Sequence, residues 1–202
     1  MNKDTKYYNL LVAGAPRAIT SSTNATPTVI TMAAVHGLST GARVQIMGHT
    51  TNVKANGLWT VTVTSTTKFS LDGSTAGGVG ADGIAVAPAP RVIFVEEFDY
   101  IVLDVVSDGG GDYAGVIHPV GSIGDTAANF AGTISKTNMY EFLDFVDIET
   151  ATSIDGDTGV TVAGADQYRT FRVDVKGLTW FTVIHSSGTA GELTINARLY
   201  QG

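Results

Sequence analysis

The sequence predicts an all-β chain, in which a small N-terminal β-barrel or sandwich module is followed by an antiparallel, jelly-roll-like β-sandwich. Three observations predict it. Apolar and polar residues alternate with a period of two, as in Trp59, Val61 and Val63 against Thr60, Thr62 and Thr64. The turns between such runs are written with Gly, Asn and Asp. Charged residues make up only 15% of the chain and 24 of its 202 residues are Gly, a composition that suits short strands joined by tight turns better than solvated helices.

Taken in order, residues 1–25 read as an N-terminal arm and a polar Ser/Thr/Asn linker. The apolar run 10–15 is shorter than the core of a secretion signal, so we take it as part of the mature chain. Tyr7, Tyr8, Leu10, Leu11 and Val12 are expected to form a short apolar arm that packs on a neighbouring subunit. Residues 26–84 form the small β module. Val29, Ile30 and Met32 suit a strand, and His36-Gly37 and Thr40-Gly41 are turn signals. Val44 and Ile46 share one face, and Asn56-Gly57 predicts a tight hairpin. After the 59–64 strand, Thr66 to Lys68 turn the chain, Phe69 and Leu71 start another strand, and Asp72-Gly73 ends it.

Residues 85–90, AVAPAP, predict an extended, semi-rigid linker. Residues 91–202 form the sandwich. The run 92–106 predicts two strands or one strand bent at Glu96-Glu97, and 108–112 a Gly-rich loop. Residues 113–120 predict a strand that Pro119 confines to an edge. Residues 139–152 suit a helix by acidic spacing and a strand by their Phe, Val and Ile content; with β neighbours, we favour strand. Phe171, Val173 and Val175 face away from Arg172, Asp174 and Lys176, and Leu193, Ile195, Ala197 and Leu199 alternate with polar residues, as in a half-buried antiparallel sheet.

Composition also restricts function. The net charge is -7, and a nucleic-acid binder needs a basic surface. The charge is uneven. Residues 1–89 carry six Lys/Arg against three Asp/Glu, and residues 90–202 carry six against sixteen. Such asymmetry fits two differently surfaced domains, or a basic module that docks on an acidic partner. Cysteine is absent, so neither a disulfide nor a thiol nucleophile is available. No apolar run approaches the 18 residues of a membrane-crossing helix.

The sites that could carry chemistry each have a plainer explanation. Gly78 to Gly83 spell GxGxxG, but IAVAPAP follows, which cannot open the helix a dinucleotide site needs. Asp155-Gly156-Asp157 hints at a calcium loop with Asp166 at its twelfth position, yet lacks the closing Glu and reads as a turn. His36, His49, His118 and His185 show no metal-ligand spacing. The carboxylates Glu96, Glu97, Asp99, Asp104, Glu141, Asp144 and Asp147 could flank a sugar, but on alternating strands they read as the wet face. Tyr100, Tyr113, Tyr140, Tyr168 and Trp180 could form a sugar-binding face or pack across strands. A catalytic triad is a spatial arrangement that sequence order does not display, and no GxSxG elbow occurs. We expect no catalytic residue, no cofactor and no metal.

The segments VHGLSTGARVQIMG and NGLWTVTVTSTTKFSLDGS carry the most specific pattern. His36, Gly37, Gly41, Gly48, Asn56, Gly57, Trp59, Phe69 and Leu71 fall in it. This stretch, about residues 28–84, resembles a β module of many tailed-phage virion proteins, in which HGL-x-TG-x-x-V-x-I-x-G is followed by NG-x-W/F-x-V and T-x-F-x-L. The module is also related to a half-domain of ubiquitin-activating enzymes, whose activity does not transfer to a chain without Cys. The run FRVDVKGLTWFTVIHSSGTAGELTINARL is similar to strands of phage decoration, head-fibre and tail proteins. The resemblance implies a non-enzymatic virion structural protein. We expect a capsid decoration or cement protein that bridges neighbouring capsomers, with a tail, baseplate or fibre component carrying a receptor- or carbohydrate-binding sandwich as the alternative. The expected partners are the major capsid or another virion protein and further copies of the chain, with a trimer as the working expectation, and neither nucleic acid nor membrane. Arg17, Arg43 and Lys54 are the expected basic contacts of the first module.

Overall fold

The computed structural model describes residues 5–13, 16–108, 114–124, 130, 139–164, 167–188 and 191–202. It is all-β and its strand pairings are antiparallel, as the alternating pattern requires. The strand β1 (Lys6–Ala13) opens the chain and belongs to the second module. The first module comprises β2 (Arg17–Ser22), β3 (Val29–Met32), β4 (Arg43–Met47), β5 (Gly57–Ser65), β6 (Lys68–Leu71) and β7 (Ile84–Val86). These close into a barrel in the order β2-β3-β6-β5-β4-β7.

Period-two patterning explains the barrel. Ile30, Val44, Ile46, Val61, Phe69 and Leu71 are fully buried inside it, while Thr60 and Thr62 face water. Trp59 lines the same core and its indole N–H donates to the Ala55 carbonyl at 2.8 Å. Asn56-Gly57 does not form the tight hairpin that the sequence predicts. The β4–β5 connection contains a 3-10 turn, Val53–Ala55, and Asn56 closes it. Its side chain accepts from the His49 N–H and donates to the His49 carbonyl, both at 3.0 Å. A side-chain amide here does the work of a ladder step, which sequence spacing does not display.

The second module adds β8 (Ile93–Phe94), β9 (Tyr100–Asp108), β10 (Ala114–Ser122), β11 (Tyr140–Phe142), β12 (Phe145–Asp147), β13 (Thr152–Ile154), β14 (Val160–Ala163), β15 (Tyr168–Asp174), β16 (Trp180–Gly188) and β17 (Glu192–Tyr200). One sheet runs β1-β17-β9-β15-β12-β13. The other runs β11-β10-β16-β8, with β14 also on β10. Leu103, Val105, Phe171, Val173, Phe181, Val183, Ile195 and Leu199 fill the space between them. The stretch 139–152 holds the short strands β11 and β12, a turn over 148–151 and the first residue of β13, with no helix, and 92–106 is two strands separated by a turn at Glu96-Glu97. The Gly-rich run 109–112 lies outside the described residues.

Three further expectations are corrected. Residues 6–13 and 17–22 are strands rather than an arm and a linker. β1 pairs along β17, and Leu10 and Leu11 are buried in the chain's own sandwich core, so they are not free to cover a neighbour. Pro119 sits mid-sheet in β10. That position is tolerated because β10 pairs β14 through Ile117 and β11 from Val120, so the missing N–H falls in the gap between two short partners. Residues 85–90 are not a spacer. Ala85 and Val86 complete β7, the Ala89 N–H donates to the Arg43 carbonyl at 3.0 Å, and the Arg91 N–H donates to the Leu10 carbonyl at 2.7 Å.

The two modules are joined by a buried seam. Val44 and Ile46 point into the barrel, so Gln45 between them points out, toward β16. Its amide donates to the His185 carbonyl at 2.6 Å and accepts from the His185 N–H at 3.1 Å. Beside this pair, Leu58 packs with Val120, Phe130 and Ile184 in an apolar cluster of its own.

Replacing Gln45 by Leu leaves the His185 N–H and carbonyl buried without that partner, and should lower unfolding stability by about 2–4 kcal/mol. A urea titration reads this as a lower midpoint, and an unchanged midpoint contradicts the seam. His185 itself is fully buried. Burial, with a contribution from His118, pushes its imidazole down to about 4. The unfolded chain takes up that proton near pH 6.5 while the folded chain does not. Stability should therefore be full above pH 6.5 and decline as pH falls toward 4, by up to about 3 kcal/mol. A His185→Gln chain should lose less over the same window.

Candidate functional site

The HGL-x-TG stretch builds one end of the barrel. The Leu38 N–H donates to His36 Nδ1 at 2.9 Å, which leaves Nε2 as the protonated nitrogen, and Nε2 lies 2.9 Å from the Ser65 carbonyl. The His36 ring also meets Phe69 edge-on, with centroids 5.3 Å apart. His36 thus ties the loop between β3 and β4 to the β5–β6 hairpin. Gly37 and Gly41 have φ of +69° and +90° with open space around them, so backbone conformation and not crowding selects glycine there.

Between this loop and the ends of β2 and β7 lies a cavity of about 460 Å³. Its floor is apolar, formed by Met32, Leu38, Val44 and Phe69, and Arg17 and Arg43 flank it. The size is that of a pocket for a small ligand or a buried side chain. Arg17 donates one Nη1 bond to the Val35 carbonyl at 2.8 Å. Among the described residues the Arg43 guanidinium makes no hydrogen bond or ion pair, and no carboxylate lines the cavity. Arg43 also borders a second hollow of about 860 Å³, between the modules, with Trp59, Asp72, Pro90 and Arg91.

The structure thus brings two of the expected contact residues together and separates the others. Lys54 is exposed on the Val53–Ala55 turn, its stem against Gly77. Tyr7 is exposed on β1, and Tyr8 is half-buried with the Arg91 guanidinium 5.1 Å from its ring centre. Leu10 and Leu11 are interior. Val12 pairs with Thr194 through its backbone, and its side chain lies outside the described residues. Sequence reasoning missed the cavity floor and His36's role as a tie. A His two residues before a Leu in a turn carries no signal of which loops it connects.

The remaining polar clusters are engaged in bonds that join loops and strands. Gly78 to Gly83 are a loop that leads into β7, and a Cβ at Gly78 or Gly80 would meet Thr51 within 3 Å, so these glycines permit two loops to touch. Asp82 accepts from the Thr50 hydroxyl at 2.5 Å, from the His49 ring at 2.9 Å and from the Thr50 N–H at 2.8 Å. Those bonds hold its carboxyl well below the usual range. Asp155 accepts from the N–H groups of Asp157 and Thr158 in its own turn, and Asp166 lies outside the described residues. Asp147 is buried. The Arg169 guanidinium at 2.6 Å, followed by the N–H groups of Thr150 and Glu149, lowers its carboxyl against the cost of burial. Asp104 accepts from the Tyr168 hydroxyl and Asp144 from the Gly156 N–H, both at 2.9 Å. Among the described residues no group of three or more His, Cys, Asp or Glu could hold a metal ion.

One arrangement has the form of a nucleophile and base. Ser186 Oγ lies 2.7 Å from His118 Nε2, and His118 Nδ1 lies 2.8 Å from the Gly156 carbonyl. The ring is buried between Phe142, 5.0 Å away by centroids, and Gly159, whose backbone leaves no room for a Cβ. A backbone carbonyl, not a carboxylate, faces Nδ1. His118 here joins β10, β16 and the loop at Gly156.

No family model and no curated protein matches the chain. Among solved structures, the SPBc2 prophage-derived protein YomS is similar at a TM-score of 0.35 and 13% identity, over 55% of this chain and 78% of that one. The K1 cleaved adhesin domain of Lys-gingipain from Porphyromonas gingivalis W83 is similar at 0.34 and 12%, over 98% and 99%. Scores this low assign neither a fold family nor a role.

Replacing His36 by Ala should release the loop. The Leu38 amide then loses its acceptor, and its hydrogen exchange should accelerate by about tenfold or more, with about 1–3 kcal/mol lost from the barrel. Unchanged Leu38 protection contradicts the tie.

Proposed function

We propose that this chain is a non-enzymatic structural protein of a tailed-phage virion, and specifically a capsid decoration protein that bridges neighbouring capsomers. The observation that carries this reading is the use made of the residues that resemble the phage module. Gly37 and Gly41 shape the turns beside His36, Asn56 closes the β4–β5 loop, and Trp59, Phe69 and Leu71 are barrel core. The pattern is a recipe for a rigid barrel and leaves its mouth and basic rim for contact.

The frame suits load-bearing. The barrel is fixed to the sandwich by the Gln45 seam, so a contact made by one module is transmitted to the other without a flexible hinge. The basic first module faces the shell and the acidic second module faces solvent. Closed symmetric assembly is the usual state of such proteins, and a trimer fits three-fold sites on a shell.

A second reading rests on the outer face of the six-stranded sheet. There Tyr100 and Tyr200 stack at 4.9 Å, the Arg172 guanidinium lies 4.6 Å over Tyr100, and Tyr7 and Tyr168 are exposed on the same face. Aromatic platforms of this kind suit sugar rings, as a tail or fibre protein needs. Of the other aromatic residues weighed for sugar binding, Trp180 packs on Phe94 and Tyr140 on Phe130, and Tyr113 lies outside the described residues.

Copy number separates the two. Densitometry of purified virions should give on the order of hundreds of copies per particle for a symmetric shell protein, and a few dozen or fewer indicates the tail. Attachment to the shell should weaken between 0.1 and 1 M salt, as the screening length falls from about 10 Å to about 3 Å. Full occupancy in molar salt contradicts charge-guided docking. A glycan array tests the sandwich face, and silence there removes sugar binding from the second reading.

A further inference from the structure

The cavity at the barrel mouth combines three properties. Its floor is apolar, its rim holds two cations, and its walls are fixed in advance. Val44 and Phe69 are fully buried barrel residues behind the cavity, Met32 is 4% exposed, and the half-buried Leu38 lines it as well. Arg17 has one Nη1 bond to the Val35 carbonyl, which leaves most of its donors free, and the Arg43 side chain has no partner among the described residues. The His36 bonds to Leu38 and Ser65 hold the loop before any ligand arrives, which lowers the ordering cost of binding.

We propose that this mouth is a docking site for an extended acidic segment of a partner protein, with one apolar side chain in the cavity and an adjacent carboxylate between Arg17 and Arg43. Charge complementarity selects the occupant. Two arginines that line one cavity, with no carboxylate in its lining, are matched by a carboxylate, and Arg binds one through paired N–H donors. The apolar floor excludes a bare inorganic anion as the best fit. An extended chain is favoured over a compact molecule because Arg43 also borders the hollow between the modules, so a strand leaving the mouth continues past Arg43 toward Arg91. The one carboxylate of that second hollow, Asp72, would face the far end of the segment. The identity of the partner as a shell protein rests on the virion reading; the chemistry of the site does not.

The test uses the full ¹⁵N-labelled chain and two probes. One is an acetylated, amidated pentapeptide of alternating leucine and aspartate, and the other has asparagine for aspartate. The aspartate peptide should cause saturable shifts at the amides of Leu38, Val44 and Phe69. The asparagine peptide should bind about tenfold more weakly, the scale of a charge-assisted pair at a half-open site. Arg43→Gln and, separately, Arg17→Gln should reduce the aspartate peptide to the asparagine level. Both positions are exposed, so folding should survive, and the comparison of the two peptides on the unaltered chain needs no variant.

Equal affinity for the two peptides, the absence of saturable shifts, or discrimination that persists in both variants overturns the proposal. Octanoate binding at the same amides without peptide binding overturns it in favour of a small amphiphile. Self-association lost on Arg43→Gln, without peptide binding, overturns it in favour of a second copy. Virion copy number is read independently: a chain found in virions that ignores the peptides fails here alone, and one that binds them but is missing from virions fails only the virion reading.

Discussion

Gln45 is one amide on a barrel strand, and it ties the two modules together from a buried position. β4 alternates strictly, so the residue between Val44 and Ile46 must point away from the barrel core. At that place the outer surface is covered by β16, and a polar residue buried there needs partners for both ends of its amide. The backbone of His185 supplies both. The effect is a rung of sheet made by a side chain, between strands whose backbones do not pair. Leu58, paired with Gln45 across the sheet, packs with Ile184 beside it, and the buried setting strengthens the bonds and raises the cost of losing them.

Once that joint is set, the barrel mouth has a fixed outlook. β4 carries Gln45 at the seam and Arg43 at the rim, two residues apart and on the same side of the strand. The same short strand therefore anchors the barrel and presents a cation beside the hollow between the modules. His36 adds the other constraint, because it fixes the loop opposite. The seam and the basic rim are thus products of the same few strands.

The polar groups that could have suggested chemistry hold loops together. Asp82 gathers Thr50 and His49, Asp147 holds Arg169, and His118 links Ser186 to the loop at Gly156. A chain without cysteine has no covalent staple, and loops of Gly, Ser and Thr offer little apolar surface to bury. Buried hydrogen bonds to charged or ring groups stabilise such loops, at the cost of sensitivity to acid where the ring is buried neutral, as in His185.

The strands were legible in the sequence because a period of two is a local property. Val61 with its flanking threonines, and Leu193 to Leu199, show which face is buried before any partner is known. The all-β class and the presence of two modules follow from that pattern together with the turn residues. Which strands pair was not legible. Leu10 and Leu11 look like a free apolar arm until β17 is seen beside them, and AVAPAP looks like a spacer until Ala85 and Val86 complete a barrel. Pro119 suggests an edge until the gap between β14 and β11 accommodates it. Arg17 and Arg43 stand out in the sequence only as cations, 26 positions apart, and their meeting across one cavity comes from barrel closure. Periodicity records how each residue stands relative to its own strand. Contacts between residues far apart in the chain depend on closure, register and the docking of one module on the other, and only the tertiary structure decides those.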